Sequence, residues 1–161
     1  LTRTLLMTSA HLSGKRSRLL PKWLIIGFIL VSFIGFLDTG YLTIKHYSGG
    51  LIGCNLFEGC EQVTSSKYSV IFGIPMALLG LLYYLFMLIS SLLYLDTKNP
   101  IIPKIFLPVT TLGFIFSGYL VYLQIWVIKA LCQYCILSAI TSTALFILSI
   151  FAFKYLKSKP Q

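Results

Sequence analysis

Four long apolar runs dominate the chain, over residues 23–44, 70–95, 105–128 and 131–153, with short polar segments between them. Each approaches or exceeds the roughly 20 residues that a helix needs to cross the hydrocarbon core of a bilayer. The pattern predicts an all-α integral membrane protein, a four-transmembrane-helix bundle. One long loop, 45–69, joins the first and second helices, and its length in so short a chain points to function. The chain divides into a basic leader (1–22), the membrane domain (23–153) and a basic tail (154–161), with no low-complexity segment and no repeat.

Composition strengthens this picture. The 161 residues are 57% hydrophobic and only 11% charged, with a mean hydropathy of +0.88. A soluble domain of this size has no interior large enough for that much apolar surface. The net charge of +9 does not indicate nucleic-acid binding, because the basic residues gather at helix ends rather than on one face. Instead they orient the bundle. Arg3, Lys15, Arg16, Arg18 and Lys22 precede the first helix, Lys98 and Lys104 lie between the second and third, and Lys154, Lys157 and Lys159 follow the fourth. Only Lys45, Lys67 and Lys129 fall on the other side. The positive-inside rule therefore predicts cytoplasmic termini and an extracytoplasmic 45–69 loop. The first run is too long for a signal-peptide core and no small-x-small cleavage site follows it, so a retained helix is expected.

All four cysteines then fall at the outer face. Cys54 and Cys60 lie in the long loop, within Gly-Cys-Asn-Leu-Phe-Glu-Gly-Cys, and Cys132 and Cys135 form Cys-Gln-Tyr-Cys at the start of the fourth helix. An even cysteine count on the oxidising side of a membrane invites disulfides. The second pair is the sharper signal. Cysteines three apart share one helix face, and the partial positive charge of a helix N-terminus, with Lys129 beside it, favours a thiolate. A thiolate is the species that attacks a disulfide. Gly53 and Gly59 flank the loop pair and let it turn and move. A mobile pair outside and a second pair at the bilayer make an electron relay. Two static disulfides or a zinc site would use the same residues and stay open as alternatives. Covalent haem is disfavoured, because Ile136 rather than His follows the second cysteine.

The ordered motifs resemble the bacterial branch of the vitamin K epoxide reductase family. The residues carrying the resemblance are Asp38-Thr-Gly-Tyr41-Leu-Thr, the run from Cys60 through Ser66 and Gly73 to Pro75, then Gly80, and Gly118 to Gln124 running on to Cys132-Gln-Tyr-Cys135. It covers about residues 23–153. It implies a multi-pass protein of the bacterial cytoplasmic membrane, a thiol:quinone oxidoreductase whose bundle surrounds menaquinone or ubiquinone. Electrons would come from an extracytoplasmic DsbA-like or thioredoxin-like partner. Cys54 would exchange with the partner, Cys60 would attack the helix disulfide at Cys132, and Cys135 would sit against the quinone as the final thiolate. Ser66 matches a family serine near the active site, and Ser69 and Phe72 fall where animal members contact quinone. Animal members carry a tyrosine where this chain has Ala139, so epoxide reduction and anticoagulant binding through that residue do not carry over. Many bacterial members bear a fused thioredoxin-like domain; here the chain ends at Gln161, so the partner is expected in trans. A DsbB-type enzyme, with its Cys-x-x-Cys in the first outer loop, fits the cysteine order less well.

Asp38 is the one acid inside an apolar run. It is either a functional carboxylate, for proton transfer during quinone reduction, or a helix-end residue reaching water. His46 is expected in the exposed loop. Gly113, Ser117 and Gly118 are expected to let helices approach closely. Tyr83, Tyr84, Tyr119, Tyr122 and Trp126 either line a quinone pocket or serve as interfacial and packing residues.

Overall fold

The computed structural model describes residues 20–49, 59–71, 73–99 and 101–157, apart from the side chains of residues 61 and 71. Cys54 and Phe72 lie outside the described residues. Four helices are long and apolar enough to cross a membrane. They are α1 (Lys22–Ser48), α3 (Met76–Thr97), α4 (Ile102–Tyr122) with a π-helical extension over Leu123–Ile128, and α5 (Gln133–Lys157). A short helix, α2 (Cys60–Thr64), and a two-stranded hairpin of β1 (Val70–Ile71) and β2 (Ile74–Pro75) lie between α1 and α3.

The bundle is inside-out relative to a soluble one. Ile26, Leu30, Phe33 and Leu37 point outward from α1, as do Leu82, Phe86 and Ile89 from α3. Hydroxyl side chains lie between the helices. Thr39, Ser91 and Thr110 each donate to the carbonyl four residues back, at 2.7, 2.7 and 2.8 Å, so none brings an unsatisfied donor into an apolar interior. Thr110 also bonds Ser149 across α4 and α5 at 2.7 Å. The large apolar core, with Phe28 against Phe106 at 4.8 Å, closes the bundle end far from the cysteines.

Helix limits differ from the hydropathy reading where backbone chemistry intervenes. The second apolar run begins at residue 70, but the helix starts only at Met76. Gly73, at φ 81°, turns the β1–β2 hairpin, and Pro75, lacking an N–H, is better placed before a helix than within one. The first helix continues to Ser48, which puts His46 in a helical last turn rather than a loop. The third run holds two conformations, because its last six residues widen into a π-turn, a form often found at functional sites.

α1 packs along α3 and α5, and α4 packs along α5, while α3 and α4 touch sparsely. Close approach depends on residues lacking bulk. A Cβ on Gly80 would lie 2.9 Å from Thr39 Cγ2, and one on Gly113 would lie 2.7 Å from the Tyr83 ring. Gly118, expected to share this role, faces open space.

Candidate active site

The sparse contact between α3 and α4 leaves a cavity of about 490 Å³ at the cysteine end of the bundle. That volume is within the range of small-molecule sites. Its walls are almost wholly apolar, drawn from α3 residues such as Leu79 and Tyr83 and α4 residues such as Leu112 and Phe116. Cys135 lies on the wall and Cys132 does not.

Cys132 is fully buried and occupies the position just before α5; its carbonyl accepts the first helical bond, from the Ile136 N–H, at 3.0 Å. It is therefore the N-cap of α5, with sulfur where a serine or aspartate oxygen usually sits. The Cys135 thiol donates to that sulfur, and the Cys135 and Tyr134 backbone N–H groups do the same. Burial opposes them, yet the net effect lowers the Cys132 thiol from its ordinary value to about 7. Lys129, expected to assist, is not among the groups responsible. Cys132 and Cys135 are free thiols.

This titration has a direct signature. With the loop pair oxidised, the ultraviolet absorbance of thiolate should rise through a midpoint near pH 7, leaving roughly a tenth of Cys132 ionised one unit lower. Cys135→Ala removes the strongest of the three hydrogen bonds and should move the midpoint up toward that of an ordinary thiol. An unmoved midpoint would assign the effect to the backbone N–H groups alone.

Cys60 is disulfide-bonded and 1% exposed. It packs in one cluster with Val63, Ala130 and Cys132, and Cys135 lies against the same cluster. The contact depends on Gly59, where a Cβ would stand 2.9 Å from Ala130 Cβ and from the Leu131 backbone N and O. Short-range bonds hold α2 and the following turn in shape. The Gly59 carbonyl accepts from Val63 N–H at 3.0 Å, and Thr64 Oγ1 donates to the Cys60 carbonyl at 2.8 Å.

Ser66 and Ser69 both line the cavity. Their hydroxyls are already engaged: Ser66 Oγ donates to the Val63 carbonyl and Ser69 Oγ to the Ser66 carbonyl, each at 2.7 Å. In this arrangement they shape the loop and have no hydrogen left for a ligand carbonyl. Tyr83 and Tyr84 are on the wall, whereas Tyr119, Tyr122 and Trp126 point outward, 49–69% exposed. Asp38 is buried rather than at a wet helix end, and neither of its oxygens has a hydrogen-bond partner among the described residues.

One residue of consequence went unassigned by sequence reasoning. Gln124, 2% exposed and on the cavity wall, accepts the Cys132 backbone N–H through Oε1 at 3.0 Å. Its own carbonyl, freed by the π-turn, accepts from Lys129 and Ala130 N–H. Gln124 thus holds the segment 129–132 that positions Cys132. Its signals were an amide near the end of an apolar run, eight residues before a cysteine, and its place at the end of the Gly118–Gln124 motif, neither of which assigned it a role. Gln124→Leu leaves a buried N–H unpaired, which costs about 1–3 kcal/mol. Thermal unfolding in detergent should show the loss, and the Cys132 titration should broaden or shift.

Residues 24–150 match the vitamin K epoxide reductase family. The chain is also 33% identical over 122 residues to thiol-disulfide oxidoreductase LTO1 of Arabidopsis thaliana, a match covering 71% of this chain and 32% of that protein. The chain thus spans about a third of the length of this relative. With the family match running from the first turn of α1 nearly to the end of α5 and enclosing the whole site, this four-helix membrane protein belongs to the vitamin K epoxide reductase family.

Proposed function

We propose that the protein is a thiol oxidoreductase that passes electrons from a loop cysteine pair to the Cys132/Cys135 dithiol and then to a quinone. The observation that carries this reading is the division of labour in the helix pair. Cys132 packs against disulfide-bonded Cys60, while Cys135 lies on the wall of an apolar cavity. Free thiols at Cys132 and Cys135 beside a disulfide-bonded Cys60 are the two unlike redox states that a relay between pairs needs.

Electrons enter from a reduced extracytoplasmic partner, of thioredoxin-like or DsbA-like chemistry, whose first thiolate attacks Cys54 and frees Cys60. The partner's second thiol then resolves that mixed disulfide, leaving the partner oxidised and Cys54 a thiol. The freed Cys60 thiolate attacks Cys132 of the helix disulfide, and Cys135 leaves as a thiolate. Cys54 then attacks Cys60, which restores the loop disulfide and releases Cys132. The Cys132/Cys135 dithiol is now poised as described above, with Cys132 ionised near neutral pH. A quinone fits the cavity by its chemistry: the walls are apolar, and sparse α3–α4 contact suits a ligand arriving from lipid. Bound there, it supplies a two-electron acceptor. Val63, Pro75 and Ile128 add apolar surface to the cavity lining beside Cys135.

The test uses the full chain in detergent with a reduced thioredoxin-like dithiol protein and a short-chain quinone. The expected result is one quinone reduced per dithiol consumed. Thiol consumption without quinone reduction would leave an oxidoreductase with another acceptor, and neither activity would sink the reading.

A further inference from the structure

Asp38 is a carboxylate inside a membrane-spanning helix, 6% exposed, with both oxygens lacking a hydrogen bond among the described residues. Charged groups at such depth are expensive and usually functional. Its neighbours one turn away on α1 locate it. Gly35 lies against the Tyr84 ring, whose hydroxyl bonds Thr141 Oγ1 and donates to the Ser138 carbonyl, each at 2.7 Å. The Tyr41 ring lies tilted against that of Tyr134, centroids 5.1 Å apart. Asp38 therefore faces the first turns of α5. Among the described residues, Cys132, Cys135 and Tyr84 on α3 are titratable groups within its electrostatic reach.

Two negative charges buried in one apolar site repel, so a Cys132 thiolate and an Asp38 carboxylate disfavour each other. Disulfide formation removes the thiolate charge. We propose that Asp38 holds a proton while the dithiol is reduced and releases it as the disulfide forms, supplying the second of the two protons that accompany the two electrons. The step balances. Cys132 thiolate, Cys135 thiol and Asp38 carboxylic acid become the Cys132–Cys135 disulfide and the Asp38 carboxylate. One S–S bond forms, while one S–H and one O–H bond break. Two electrons and two protons leave, as reduction of a quinone to a quinol requires, and the site keeps a single negative charge throughout. Tyr84 is on the cavity wall and within reach of Asp38, so its hydroxyl is the way out for this proton. Without Asp38 only the Cys135 proton would leave, and water would have to supply the other.

The acceptor in this scheme rests on the quinone reading, but the protonation change does not. Redox-difference infrared spectroscopy on the full chain, poised with dithiothreitol and diamide and without quinone, tests it. The reduced-minus-oxidised spectrum should contain a protonated-carboxyl carbonyl band that shifts in D2O. It should shift again on carboxyl-¹³C aspartate labelling, persist in Asp96→Asn, vanish in Asp38→Asn and return in Asp38→Glu. A wild-type spectrum without the band, or a band that survives Asp38→Asn, would overturn the proposal. If the band is present while quinone reduction fails, the acceptor is misassigned and the role of Asp38 stands.

Discussion

Replacing Cys135 by serine should leave the resting protein cross-linked between Cys60 and Cys132. The serine hydroxyl still donates to the Cys132 sulfur, so the thiolate favoured at about pH 7 persists. Its normal partner in disulfide formation is gone, and the sulfur packed against it belongs to disulfide-bonded Cys60. Attack there forms a Cys60–Cys132 bond and releases Cys54 as a thiol. Both sulfurs are in side chains at most 1% exposed, so external thiols would reduce the cross-link slowly. Peptide mapping under non-reducing conditions should find it. Turnover with partner and quinone should fall at least about a thousandfold, as when one member of a catalytic unit is removed. An intact loop disulfide in this variant, or wild-type turnover, would refute the packing-based order of exchange.

The second large effect is expected at Gly59. Its absent Cβ would meet backbone atoms of Leu131 at 2.9 Å, and backbone cannot yield as the end of a flexible side chain does. Gly59→Ala should therefore lift α2 from the start of α5 and draw Cys60 away from Cys132. A displacement of about 1 Å between reacting groups can cost a hundredfold in rate, and overpacking costs about 1–3 kcal/mol in stability. Rapid mixing separates the two half-reactions. Transfer from the loop pair to the helix pair should slow about a hundredfold, while a pre-reduced Cys132/Cys135 pair should reduce a quinone analogue at the wild-type rate. Equal slowing of both would mean that the substitution disturbs the bundle rather than the contact.

Much of the fold was legible because hydropathy acts locally. A run of apolar residues about 20 long is driven into lipid whatever its neighbours do, and a bilayer requires a helix there. The limits of that logic show at Met76, where Gly73 and Pro75 override an apolar run, and at Leu123–Ile128, where apolar residues adopt a π-turn that hydropathy does not register. The site was legible to a lesser degree. The spacing of Cys132 and Cys135 at a helix start predicted a stabilised thiolate, and the stabilising groups prove to be local: the Tyr134 and Cys135 N–H groups and the Cys135 thiol. Ser66 and Ser69, expected at the quinone site from the family resemblance, line the cavity with their hydroxyls engaged by backbone carbonyls of the turn.

The sequence by itself determined the four spans, the two unlike cysteine pairs and a stabilised thiolate at the start of the fourth helix, since each depends on residues within a turn or two of one another. The structure assigned that thiolate to Cys132 rather than Cys135. Tertiary structure alone decided that Cys60 meets Cys132 through a bare Gly59, that Cys135 rather than Cys132 faces the cavity, that Gln124 grips the Cys132 N–H, and that Asp38 is buried beside the dithiol. Those facts depend on how distant helices dock, and docking follows from side-chain volumes and buried polar contacts between segments far apart in the chain.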